Sequence, residues 1–128
     1  IEKKMAKRIL KERPFNSGTM TSSMFFGWLR SNLRRMTMRG WKPIAEVKKQ
    51  ARRQYKGSNK LQKWEFLCAT CGNYVKAAEC EVDHKIEAGS LRSYEDLAGF
   101  VQRLFVEKEG LELLCKQCHS LKTKGKTK

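Results

Sequence analysis

The stretch LELLCKQCHSLKTK, residues 111–124, decides how the rest of the chain is read. An apolar run leads into a Cys-x-x-Cys pair, Cys115 and Cys118, and His119 follows at once. Two thiolates at that spacing close on one zinc ion at about 2.3 Å while the backbone turns tightly between them. A tetrahedron needs a second pair, and it stands at Cys68 and Cys71 in FLCATCGNY, with Gly72 placed to relieve the turn. Four thiolates leave no open position, so this zinc would hold the fold together and any chemistry would lie elsewhere. The two pairs lie further apart than the ~15–20 residues of simple paired knuckles, so an inserted element must fold between them. Cys80 is left over and reads as a small buried side chain on a strand.

The chain has 128 residues, the size of one domain, and a formal net charge of +15. Residues 1–67 hold 18 Lys or Arg against 4 Asp or Glu, a balance of +14. Residues 68–128 hold 10 against 9, a balance of +1. A self-repelling cationic half beside a nearly neutral half calls for a polyanion, and nucleic acid is the commonest one. No apolar run approaches the ~18 residues of a membrane span and no secretory signal is present, so a soluble, intracellular protein without a membrane partner is expected. Paired cysteines in an odd total suit metal binding in a reducing compartment better than a disulfide framework. The chain opens on Ile1, which reads as a native start lost upstream.

Three regions follow in order, expected to form one compact unit. Residues 1–18 are a basic arm, opening as a short helix and broken by Pro14, Asn16 and Gly18. Residues 19–63 are a basic helical region for binding DNA. Its first helix is capped by Thr21 or Ser22 and has an apolar stripe of Met24, Phe25, Trp28, Leu29, Leu33 and Met36, with Arg30 and Arg34 opposite. Gly40 ends it. Pro43 starts a second helix whose apolar face runs from Ile44 through Val47 and Ala51 to Tyr55, and whose other face projects Lys48, Lys49, Arg52 and Arg53 toward phosphates.

Residues 64–128 hold the cysteine pairs. Strands are expected at 64–67, at Tyr74 and Val75, at 79–84 and at 111–114. Within the insertion, Ser93 with Asp96 reads as a capping box before a helix bearing Leu97, Phe100, Val101, Leu104 and Phe105. A helix is expected from Cys115 onward, with a basic tail fraying from Lys122. Asp83 and His84 then end one strand, and His119 stands on the helix that follows another.

Strand, long connection, strand and helix, with VDH ending the first strand and LELLCKQCHSLKT forming the second strand and the helix, resembles the ββα-metal core of the HNH endonuclease family. The resemblance covers residues 64–124 and extends to small zinc-knuckle HNH proteins of bacteriophages. It implies an α+β fold, a ββα-metal core with a structural zinc site and basic N-terminal helices. It implies hydrolysis of DNA phosphodiester bonds, with His84 as general base and Asp83 and His119 as ligands of a catalytic Mg²⁺, Mn²⁺ or other divalent transition ion. Cys68, Cys71, Cys115 and Cys118 would hold Zn²⁺. The setting implied is a phage-encoded protein in the cytoplasm of a bacterial host, with a packaging terminase or another DNA-processing protein as partner. Double-strand cleavage by the isolated chain would require a homodimer or sequential nicking.

Gly110 stands where most of the family has an asparagine before the second strand, so Glu109 or backbone groups must brace the loop that bears the base. Glu87 could orient His84 or remain a solvated loop carboxylate. Elementary chemistry agrees with the resemblance: a neutral imidazole can take a proton from water at working pH, and a mixed carboxylate and imidazole pair suits several divalent metals. Cys-x-x-Cys-His is also a haem-attachment pattern, but that leaves Cys68 and Cys71 unexplained. Zinc nucleobase deaminases need His-x-Glu and Pro-Cys-x-x-Cys, whereas here Glu87 is one residue too far and Leu114 replaces the proline. The alternative from another class is a non-catalytic zinc-ribbon module that binds nucleic acid.

Overall fold

Thr21 opens the first helix. Its hydroxyl accepts the Met24 amide at 3.1 Å while its own backbone stays extended, and α1 runs over Ser22–Gly40. The computed structural model describes residues 12–126, so the expected basic arm lies outside the described residues as far as residue 11. Its remaining end doubles back between Phe15 and Met20 through Asn16, Ser17 and Gly18, all at positive φ. That turn stacks the Phe15 ring on Phe25, with centroids 4.3 Å apart.

Trp41 separates α1 from α2 (Lys42–Ala51), which has Pro43 in its first turn. α2 ends earlier than a periodicity through Tyr55 implies. Arg52–Gln54 becomes β1, antiparallel to β2 (Trp64–Leu67), and β2 pairs in turn with β3 (Tyr74–Val75). The amides of β2 need partners along that edge, and this demand overrides the helical pattern of the side chains. Arg52 and Arg53 consequently do not extend the basic face of α2. The Arg52 guanidinium lies 4.1 Å from the Trp64 ring, while Arg53 bonds Glu65 at 2.6 Å and covers the Tyr74 ring at 3.5 Å.

The second sheet has two strands. β4 (Cys80–His84) pairs antiparallel with β5 (Leu111–Cys115), placing Cys80 opposite Cys115, Asp83 opposite Glu112 and His84 opposite Leu111. The long connection between them contains α3 (Tyr94–Leu104). Ser93 caps α3 with backbone only, because Asp96 turns its carboxylate to the Arg92 amide at 3.0 Å in place of completing a capping box. α4 (Lys116–Lys126) follows β5 directly and continues past Lys122, where a frayed tail is expected from sequence. The fold is α+β, with four helices and two small antiparallel sheets among the described residues.

One core lies between α1 and the insertion, where Phe26, Ala88, Leu91, Phe100 and Leu104 are buried together. Phe25, Leu29 and Leu33 pack against it as expected from the stripe on α1. Met24, Trp28 and Met36 face outward instead, because Phe26 turns the buried arc away from them. Full burial of a phenylalanine such as Phe100 contributes roughly 2–3 kcal/mol. A second, smaller core comprises Cys68, Leu114 and Cys115, with Val75 and Cys118 against it.

Candidate metal centre and adjoining cleft

The four cysteines converge, with all their sulfurs within 4.8 Å of one another. Cys68 and Cys71 flank a turn closed by the Gly72 amide on the Cys68 carbonyl at 3.0 Å, and Gly72 takes φ +74, which glycine adopts without steric cost. The Ala69 amide docks this turn on β5 through the Leu113 carbonyl at 2.8 Å. Cys115 ends β5, and Cys118 lies in the first turn of α4, its amide donating to the Cys115 sulfur at 3.4 Å.

Sulfurs at about 2.3 Å from a tetrahedral ion stand roughly 3.8 Å from one another, and Cys71 and Cys115 are 3.9 Å apart. The donor set fits zinc, and the cluster suggests a structural zinc site. Cys80 packs beside it but bonds the Ala77 carbonyl and stays outside the four. Burial opposes ionisation of Cys68, yet the backbone amides of Cys71, Cys115 and Thr70 outweigh it and lower this thiol to about 6. Cys118 is pushed up to about 12, first by its bond to the Cys115 sulfur and then by burial.

A cleft of about 650 Å³ opens at the other end of the β4–β5 pair, lined by Asp83, His84 and His119 together with Arg30 and Arg34 from α1. Asp83 and His84 are adjacent on β4, and His119 reaches them from the start of α4. His119 Nε2 lies 3.8 Å from Asp83 Oδ2, and its Nδ1 lies 3.9 Å from Glu81 Oε2. The other Asp83 oxygen accepts the His84 amide at 2.8 Å. His84 is held by its ring and by its backbone. Nε2 is 2.7 Å from the Leu104 carbonyl, and its own carbonyl accepts the Lys122 ammonium at 2.6 Å.

Lys122 also lies 3.0 Å from Asp83 Oδ2 and 3.0 Å from Glu112 Oε2. Burial alone would raise the Asp83 pKa, but the bonds from Lys122 and the His84 amide, with the nearby charges of Lys122 and His119, hold it below the usual carboxylate range. Burial pulls the Lys122 ammonium down, but its bonds to Asp83 and Glu112 leave it above the usual lysine value.

Backbone braces the loop that follows His84: the Lys85 amide donates to the Gly110 carbonyl at 2.9 Å. A side chain at Gly110 would press on Val106, its first carbon only 3.0 Å from the valine Cβ. Glu87 lines the cleft. Lys48 and Lys49 occupy α2, apart from the cleft, and Lys48 lines a shallow basic depression with Arg39 and Lys42.

Sequence reasoning did not single out Lys122, Glu81 or Glu112. A signal existed for two of them. Strand alternation sets Glu81 on the face of Asp83, and helical spacing sets Lys122 one turn after His119. The Leu104 carbonyl is backbone and leaves no trace in residue identity. Among the described residues, no helix is long and apolar enough to cross a membrane. No protein-family model matches the chain, and no curated protein or solved structure matches it either.

Proposed function

We infer that this protein is a metal-dependent HNH-type endonuclease that hydrolyses the DNA backbone. The observation that carries this reading is the convergence on one cleft of a carboxylate, two imidazoles and two arginines: Asp83, His84, His119, Arg30 and Arg34. Their chemistry is complementary to a phosphodiester. The Leu104 carbonyl can only accept a hydrogen bond, so it fixes the proton of neutral His84 on Nε2 and leaves the Nδ1 lone pair to take a proton from water. Arg30 and Arg34, one helical turn apart on α1, offer guanidinium donors to phosphate oxygens.

Asp83 Oδ2 and His119 Nε2, at 3.8 Å, are within the ~4.2 Å that two ligands on one small divalent ion can span. Such an ion, held by those two residues, would supply charge stabilisation to the phosphate and to the departing 3′ oxygen. The products on this reading are 5′ phosphate and 3′ hydroxyl ends. The strongly basic N-terminal half, with Lys48 and Lys49 on α2, supports DNA as the substrate. Zinc at the four cysteines anchors the turn before β3 to the start of α4, and so sets where His119 stands.

Plasmid nicking with Mg²⁺ or Mn²⁺ tests the reading, comparing wild type with His84→Ala after both are shown to retain zinc and bind DNA. Nicking by wild type alone is expected. DNA binding without cleavage by either protein, across several metals, would replace the nuclease with a zinc-ribbon binding module.

A further inference from the structure

We propose that Lys122 is the resident counter-cation of the Asp83 cluster, and that it sets how weakly a divalent ion is held there. This deepens the nuclease reading and rests on Asp83 and His119 as the ion's ligands. The ammonium meets three acceptors: the His84 carbonyl at 2.6 Å, Asp83 Oδ2 at 3.0 Å and Glu112 Oε2 at 3.0 Å. A lysine ammonium has three protons, so these acceptors saturate it.

The oxygen it holds on Asp83 is the same one that faces His119 at 3.8 Å. An ion on that oxygen at about 2.1 Å would lie within roughly 5 Å of a fixed positive charge, where like charges repel strongly in a partly buried site. Glu81, Asp83 and Glu112 bring three carboxylates to this side of the β4–β5 pair, against His119 and Lys122 on α4. Lys122 reduces their combined charge from −3 to −2, the charge that one divalent ion neutralises. The lysine thus keeps the carboxylates from closing on an ion more tightly than turnover tolerates.

The test is titration of the zinc-loaded protein with Mn²⁺, reading free Mn²⁺ by electron paramagnetic resonance, in wild type, Lys122→Met and Lys122→Arg. Removing the charge should tighten Mn²⁺ binding about tenfold or more, and Lys122→Arg should stay within about threefold of wild type. Glu112→Gln leaves Asp83 as the only carboxylate on the ammonium and should weaken binding about threefold or more, which keeps the idea exposed to test should Lys122→Met not fold. Unchanged or weaker Mn²⁺ binding in a folded, zinc-replete Lys122→Met protein overturns the inference. If wild type still nicks plasmid in that case, the nuclease reading survives it. Absence of both Mn²⁺ binding and nicking in wild type overturns the two together.

Discussion

His84 Nε2 and the carbonyl oxygen of Leu104 stand 2.7 Å apart, so the last residue of α3 dictates which ring nitrogen of a β4 histidine bears the proton. The neutral ring of His84 should appear in long-range ¹H–¹⁵N spectra as the Nε2–H tautomer, with Nδ1 unprotonated. A spectrum dominated by the Nδ1–H form would remove Nδ1 as the base.

Zinc removal should unfold the cysteine-bearing half. An ion bound at about a thousand times its dissociation constant adds roughly 4 kcal/mol of stability. Stripping it with a strong chelator, or replacing Cys115 with serine, should therefore lower the melting temperature by many degrees, and metal analysis should find one zinc per chain in the untreated protein. Equal melting curves with and without chelator would show that the four thiols hold no ion that matters to the fold.

The Asp83–Lys122 pair predicts two limbs in a plot of stability against pH. The Asp83 pKa is lowered on folding, so its contribution is fully present above the unfolded value of about 3.9 and fades as pH falls through the folded value. The Lys122 pKa is raised, so its contribution is fully present below about 10.4 and fades as pH rises through the folded value. Since both side chains retain some exposure, the pair should contribute only about 1 kcal/mol at neutral pH. Urea denaturation of wild type and Asp83→Asn from acid to neutral pH should show the two stabilities converging at the acid end. Parallel curves would mean that Asp83 has the same pKa folded and unfolded.

On the nuclease reading, cations free to meet phosphates should differ from cations already engaged. Replacing Lys48 and Lys49 together with alanine should reduce the salt dependence of DNA binding by about 0.9 in log–log slope for each phosphate left without its lysine. Arg53→Ala should leave that slope nearly unchanged, since Arg53 is engaged by Glu65 and Tyr74. Equal slope changes for the lysine pair and for Arg53 would place DNA on the β1 edge as well.

Elements defined by local pattern were legible in the sequence. Thr21 as a cap, the turn at Gly72, the stripe of α3 and the convergence of two Cys-x-x-Cys pairs all rest on interactions between near neighbours or on a fixed ligand geometry. What stayed hidden depends on long-range partners. β1 exists because β2 needs an edge, and nothing in ARRQY announces that. Phe26 is buried because α3 approaches α1 on that side, a direction that periodicity alone does not choose. The hold on His84 by Leu104 and Lys122 joins residues from three elements, and one member is a backbone oxygen.

The short strand β1 has a consequence for any attempt to divide the chain. A cut ahead of Trp64 would strip β2 of β1, leaving it paired on the β3 side alone, and take Phe26 away from Phe100 and Leu104. It would also remove Trp41, whose indole N–H bonds the Val106 carbonyl at 2.7 Å, two residues beyond the oxygen that orients His84. A shortened gene product would lose more than its basic helices: it would gain a raw, sticky sheet margin and a slackened histidine.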